Sequence, residues 1–225
     1  RTFLPFAQRS MESLRRGAEV LEGVRHASAG ILNMATARVI GTYVLPGLLR
    51  EFQQQYSETN LHIKVGASAE VLQMVLDEEV QLGLARHMQH PDVDAFHLYD
   101  EEAVLVAHPS SEFAVSEMAS MREVAQAPLI VYDPGDPGSS YSSLINRLCR
   151  EAGVTPKVEM NLDSVEAVKN MVELGLGVSF LPRSGVRQSL ENGTLATIPL
   201  AERPQVLLPT YVLVRKGQHY SLTVL

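Results

Sequence analysis

Residues 30–56 read GILNMATARVIGTYVLPGLLREFQQQY, and residues 61–85 read LHIKVGASAEVLQMVLDEEVQLGLA. Ile31–Thr36 has the apolar, β-prone character of a strand. Val44, Leu45, Leu48, Leu49, Phe52 and Tyr56 recur on one helical face, with Pro46 near the start, where a helix tolerates it. Leu61–Val65 repeats the strand and stops at Gly66. Val71, Leu72, Val75 and Leu76 mark a second helix, and Leu82–Ala85 is a short buried strand. Strand, helix, strand, helix, strand predicts a parallel sheet with right-handed crossovers.

A second set of such units follows. Val104–Ala107 and Leu129–Tyr132 are apolar and β-prone. Leu144, Ile145, Leu148 and Ala152 form a helical face closed by Gly153. Val158–Leu162 reads as a strand and Ser164–Leu174 as a helix with Val165, Val168 and Val172 inward. Gly177–Leu181 is a strand ended by Pro182, and Tyr211–Val214 is a late strand. Two α/β lobes of ordinary domain size fit this pattern.

Ligands of such sheets bind where strands hand over to helices. Here those turns form four loops: Thr36-Ala37-Arg38, Gly66-Ala67-Ser68, the Asp133–Ser140 run with Gly138 and Ser139, and Leu162-Asp163-Ser164. Each places hydroxyls or unpaired backbone N–H groups at a helix start, which favours an anion. For any single Ser, Thr or Asp plain N-capping is the favoured role; four converging starts favour an anion only if the lobes face each other. Arg38 and Arg86, at or near strand ends, are placed to clamp a carboxylate or sulfate, or to make surface ion pairs.

Composition excludes other classes. The chain has 225 residues, 45% hydrophobic and 20% charged, as in an ordinary globular protein. No apolar run approaches the roughly 20 residues that span a bilayer, so no membrane association is expected. The formal charge of −7 makes the bulk of the chain a poor nucleic-acid binder. The single cysteine, Cys149, allows no internal disulfide and suits a reducing cytoplasm. His87 and His90 have a metal-like spacing but no third ligand, so no metal is expected. No phosphate-binding loop, nucleophile elbow or dinucleotide fingerprint occurs, so neither catalytic residues nor a cofactor are expected.

The N-terminal segment differs from the rest. Residues 1–29 hold five arginines against three glutamates, a balance of +2 that leaves −9 of the total −7 to the remainder. Leu4, Ala7, Met11, Leu14, Ala18 and Leu21 follow the three-and-four spacing of a coiled-coil seam, which suggests packing on a partner helix. The chain begins at Arg1 and stops within an apolar stretch at Leu225, as a fragment would.

Taken together, these stretches resemble a known family. The run Gly30–Pro46, with Leu48, Leu49, Phe52 and Tyr56, resembles the start of the effector-binding domain of LysR-type transcriptional regulators. So do Leu61–Gly66 with Ser68 and Glu70, and Leu82–Leu84. Ser164–Pro182 is similar to that family's Val-x-x-Gly-Leu-Gly-Val-x-x-x-Pro stretch, and Asn192–Leu195 and Val214–Gly217 also fit. Arg1–Ala7 resembles the start of the linker helix that follows a winged helix-turn-helix. The chain departs from the family at Tyr56-Ser57, where Tyr-Pro is common, and at Val80–Leu84, where Gly-x-Leu-Asp-Leu is common.

The resemblance implies an α/β, two-lobed, periplasmic-binding-protein-like (type 2) fold. Each lobe is then a mixed sheet flanked by helices, two crossing strands join the lobes, and a long linker helix precedes them. It implies a linker and dimerisation helix over 1–29, lobe I over 30–102 plus 215–225, and lobe II over 103–214. It implies a small-molecule effector between the lobes, a homodimer or tetramer, a bacterial cytoplasmic setting and no catalysis. DNA would be reached only through an N-terminal domain that this sequence does not contain. The four loops are the implied contacts; Thr36 matches a polar contact position, whereas Arg38 is less typical. A transporter's solute-binding protein and an enzyme on the same fold are the competing readings. The seam in residues 1–29 argues against the first, and the lack of a nucleophile–base pair against the second.

Overall fold

The computed structural model of the protein describes residues 30–86, 88–116, 118–134, 140–202 and 206–217. The predicted seam from Leu4 to Leu21, together with His87, Gly138, Ser139 and residues 218–225, lies outside the described residues.

The first half builds a mixed sheet. Strand β1 (Ile31–Ala37) runs one residue beyond the predicted strand and leads straight into α1 (Arg38–Tyr43). The single helix expected over Val44–Tyr56 is instead preceded by α1 and begins as α2 (Leu45–Gln55). The break at Val44 has a simple cause: Pro46 has no N–H to give the Thr42 carbonyl, so one continuous helix is impossible. There follow β2 (Asn60–Gly66), α3 (Ser68–Leu76) and β3 (Leu82–Arg86). β1 pairs in parallel with β2 (Thr36 opposite Val65) and with β3 (Thr36 opposite Leu84).

The two faces of this sheet are filled by different helices, as period-two alternation requires. Ala35 packs with Val71 and Val75 of α3, together with Ala85. Its neighbour Met34 points the other way and packs with Ile40, Leu45 and Leu84.

The second half is entered through one long strand, β4 (Val93–Ala107). Short helices α4 (Glu112–Val115) and α5 (Met121–Val124) lead to β5 (Leu129–Tyr132). Next come α6 (Ser140–Glu151), β6 (Val158–Leu162), α7 (Val165–Glu173) and β7 (Ser179–Pro182). The chain closes with α8 (Arg183–Glu191), β8 (Ala196–Thr197) and β9 (Leu207–Arg215). Gly153 after α6 has φ +66°, the left-handed conformation that closes a helix at low cost for glycine alone.

β9 returns to the first sheet. It pairs antiparallel with β3 (Gly83 opposite Leu213) and along β4, from Val93 opposite Arg215 to Glu102 opposite Leu207. Beyond Glu102, β4 changes partners and pairs with β7 and β8. The strand order is β2-β1-β3-β9-β4-β7, with β5 and β6 paired beside it. The two-lobed mixed architecture is therefore present, and β4 and β9 are its crossing strands. The second lobe has its own core of Leu105, Val106, Leu129, Ile130, Leu144, Leu148, Val168 and Phe180. Cys149 is buried in that core, and burial pushes its thiol pKa up, away from reactivity. One residue of α1, Val39, is buried in the second core rather than the first.

Tight packing joins β5 to β7. The Val178 N–H donates to the Pro128 carbonyl at 3.0 Å, and a Cβ placed on Gly177 would lie 2.3 Å from that same oxygen. Backbone cannot yield as a side chain can, so Gly177→Ala is expected to destabilise the chain by about 1–3 kcal/mol, as overpacking does. Urea denaturation measures this; an unchanged midpoint would show that the β5–β7 contact relaxes freely.

Candidate functional site

The strand-to-helix turns of the two lobes meet in a cavity of 320 Å³. From the first lobe come Arg38, Val39, Thr42 and Tyr43 of α1, with Val65 of β2. From the second come Tyr132 at the end of β5, Asp163 and Ser164 before α7, and Val165 and Glu166 in its first turn. Of the residues expected from sequence, the fold thus brings Arg38, Asp163 and Ser164 together on one cavity.

Arg38 opens α1, and its guanidinium is half exposed, 3.8 Å from the Glu70 carboxylate. That distance is a loose ion pair in water and leaves most of the donors available. Facing it, Ser164 caps α7: its hydroxyl oxygen accepts the Ala167 N–H at 3.4 Å. The cap leaves the hydroxyl proton available to a ligand, beside first-turn N–H groups that have no partner within the helix.

The other expected residues have different surroundings. Thr36 and Ala37 end β1 rather than standing in a loop, and Thr36 is fully buried, its hydroxyl donating to the Ala37 carbonyl at 3.3 Å. Loop two is satisfied from within: the Ala67 N–H donates to a Glu70 carboxylate oxygen at 2.6 Å, and Ser68 Oγ accepts the Arg86 N–H at 3.4 Å. Arg86 closes β3, and its Nη1 donates to the Leu208 carbonyl at 2.5 Å and to Thr210 Oγ1 at 2.7 Å. The Asp133 N–H joins the β5–β6 ladder by donating to the Leu162 carbonyl at 2.8 Å. Ser140 opens α6, while Gly138 and Ser139 fall outside the described residues.

Two residues that sequence reading passed over form the bridge across this cavity. Tyr43 of α1 donates its hydroxyl to Glu166 Oε1 of α7 at 2.7 Å. Lys169, one turn along α7, holds the other oxygen at 2.5 Å. Burial alone would raise the Glu166 pKa, but the hydrogen bonds from Lys169 and Tyr43 outweigh it and hold the carboxyl below its ordinary value. Burial and the bond to Glu166 raise the Tyr43 phenol in turn. Both directions say the same thing: a neutral phenol donates to an ionised carboxylate. No spacing in the sequence announces this pair, because each member depends on where the other lobe sits.

A family model described as the LysR substrate binding domain matches residues 25–225. Among curated relatives, the HTH-type transcriptional regulator SsuR of Burkholderia cenocepacia is 26% identical over 187 residues, covering 82% of this chain and 59% of that protein. The HTH-type transcriptional regulator CitR of Bacillus subtilis is 27% identical over 202 residues, covering 88% of this chain and 67% of that one. This chain therefore spans about three fifths of the length of the first relative and two thirds of the second. Among solved structures, the CcmR regulatory domain of Synechocystis PCC6803 in complex with 2-PG superposes with a TM-score of 0.74 at 20% identity, covering 86% of this chain and 92% of that one.

The bridge has a testable pH dependence. A depressed carboxyl pKa contributes stability that is complete above the ordinary value of 4.5 and is lost as pH falls through the lower folded value. Acid should therefore weaken the Tyr43–Glu166 link below about pH 4.5, and Glu166→Gln should remove that part of the slope. Tyr43→Phe should cost about 1 kcal/mol or less at neutral pH, since the carboxylate is half exposed. Denaturation of the three proteins across this range is the check. Identical acid slopes for wild type and Glu166→Gln would show that the bridge carries no stability.

Proposed function

The chain belongs to the family of LysR substrate-binding domains, and on that premise we propose that it is the sensing part of a bacterial LysR-type transcriptional regulator. A small-molecule effector occupies the cavity between the lobes and controls DNA binding by a separate N-terminal winged helix-turn-helix. Family membership favours this reading over that of a transporter's solute-binding protein, and it is a family of regulators rather than enzymes. The rest of the proposal is a homodimer or tetramer assembled through residues 1–29, a cytoplasmic setting, and no catalysis by this chain. Among the described residues no helix is long and apolar enough to cross a membrane.

The observation that carries the proposal is the cavity itself, lined from both lobes and bridged by Tyr43 and Glu166. A ligand there touches both lobes, and only contacts that differ between open and closed arrangements shift the balance between them. We propose that the effector is a small organic anion. Arg38, the Ser164 hydroxyl and the α7 N-terminus favour its negative group, while the Asp163 carboxylate is an acceptor for a ligand hydroxyl. The proposed lobe division follows the cores. It takes lobe I over 30–102 plus 215–225 and lobe II over 103–214; the separate cores support it, and β9 contributes to both, Leu213 to the first and Leu208 to the second.

Thermal-shift screening of the chain against small metabolic acids tests the reading. A true effector at 100 times its dissociation constant should stabilise by ~2.7 kcal/mol. For an effector so found, Arg38→Ala should weaken binding roughly 10- to 150-fold, the worth of a charge-assisted hydrogen bond. Thr36→Ala should cost less, because that hydroxyl is buried and already bonded to its own chain. Calorimetry that finds Arg38→Ala binding as tightly as wild type would remove the cavity from the effector site.

A further inference from the structure

Lobe I reaches lobe II twice. β4 and β9 run between them as paired strands. Apart from these, α1 makes a second connection from side chains alone. Its residues divide between the cores: Ile40 is buried with Met34, Leu45 and Leu84 of lobe I, while Val39 is buried in the core of lobe II. Tyr43 packs against that second core too. Val39 and Tyr43 are four residues apart and so share one face of the helix. α1 is itself fastened to lobe I: a Cβ placed on Gly41 would lie 2.6 Å from Thr36 Cγ2, so the helix rests directly on β1.

The Tyr43 ring has a fitted seat on lobe II. Gly185, the third residue of α8, is buried, and a Cβ there would lie 3.1 Å from Tyr43 Cε2 and 3.3 Å from Tyr43 Cζ. Pro182 Cγ would stand 3.2 Å away. Glycine inside a helix is less favourable than alanine, and here the ring and Pro182 leave little room for a methyl group. Beyond the seat, the Tyr43 hydroxyl reaches Glu166 of α7, whose other oxygen is held by Lys169 of the same lobe. The acceptor is thus oriented by lobe II before Tyr43 engages it. Parting the lobes would bring Val39 and the apolar surface it covers into water, and would take the hydroxyl off its acceptor.

We propose that Val39 and Tyr43 of α1 form a latch that closes lobe I on lobe II through contacts of the chain with itself, with Gly185 as its seat and Glu166 as its catch. The strands join the lobes permanently; the latch joins them reversibly, because it consists of one apolar side chain, one ring and one hydrogen bond. Its release governs how often the cavity opens. The inference concerns this chain alone and stands or falls without the effector reading.

Pulsed electron-spin distance measurement on the 225-residue chain is the test. Spin labels at Gln54→Cys of α2 and Asn170→Cys of α7, both exposed positions, read the separation of the lobes, while Cys149 is buried and stays unlabelled. Labelled chain is diluted with unlabelled chain, so that only distances within one chain are read. In buffer with no added metabolite, wild type should give one narrow distance. Tyr43→Ala removes ring and hydroxyl without touching the core of lobe I, and should raise the share of longer distances roughly tenfold or more. Gly185→Ala favours the helix but crowds the seat, and should raise that share as well. Tyr43→Phe keeps the ring and should raise it by up to about fivefold, the worth of one half-exposed hydrogen bond. Thr194→Ala removes a hydroxyl bond to Glu173 within lobe II and should leave the wild-type distribution unchanged. If Tyr43→Ala fails to fold, Gly185→Ala and Tyr43→Phe decide. A wild-type distribution already spread to long distances, or one that the latch variants leave unchanged, overturns the latch. So does equal broadening by Thr194→Ala, since the effect would then belong to any lost surface bond.

Discussion

The antiparallel pairing of β4 with β9 is the constraint on which the rest of this molecule depends. β4 has 15 residues, longer than the 3–10 usual for a strand and extending about 50 Å. No single lobe accommodates it. Its first part is held by β9 in the sheet of lobe I, and its last residues are held by β7 and β8 in lobe II. β9 runs beside it in the opposite direction, with Leu208 in one core and Leu213 in the other. Two hydrogen-bonded strands resist shear and stretching far better than bending. The lobes are consequently fixed in register and spacing. The irregularity between His97 and Tyr99 breaks the ladder along this shared segment, and Arg86 anchors beside it through the Leu208 carbonyl and Thr210. Across the same junction, Arg183 of α8 pairs with Glu102 and the α8 start is held by Glu101.

Much of this fold was legible in the sequence because most elements bury one face. Met34 and Ala35, or Val71 and Val75, declare their periods in any context. The first part of β4 does not. Val93-Asp-Ala-Phe-His-Leu-Tyr-Asp-Glu-Glu102 is mostly exposed or half-buried, with only Val93 and Glu101 buried and no regular alternation, so it is a strand on account of β9 rather than of its own pattern. α8 was missed for another reason. Pro182 looks like a terminator but occupies an N-cap position, where its fixed φ suits a helix entry and its missing N–H costs nothing. The candidate site divides in the same way. Arg38, Asp163 and Ser164 were visible because a strand-to-helix turn is a local event. Tyr43 and Glu166 were not, because their bond exists only across the gap between lobes.

The electrostatics of the cleft run against those of the chain. A net charge of −7 repels anions at long range, yet the cavity presents Arg38 and a capped helix start. At physiological salt the diffuse repulsion is screened within about 8 Å, while buried or half-buried donors are screened far less. Close contacts therefore decide what binds, and the acidic surface works against loosely attracted polyanions.

Glu70 gives the second loop a distinct character. Its carboxylate already sits on the Ala67 N–H, at a helix start that would otherwise attract an outside anion. Tethered three residues away, it competes at an effective concentration that a dissolved metabolite does not reach. Glu70 is in this sense an intramolecular substitute for ligand. It occupies one of the four helix starts from within the chain, which closes that start to an outside anion.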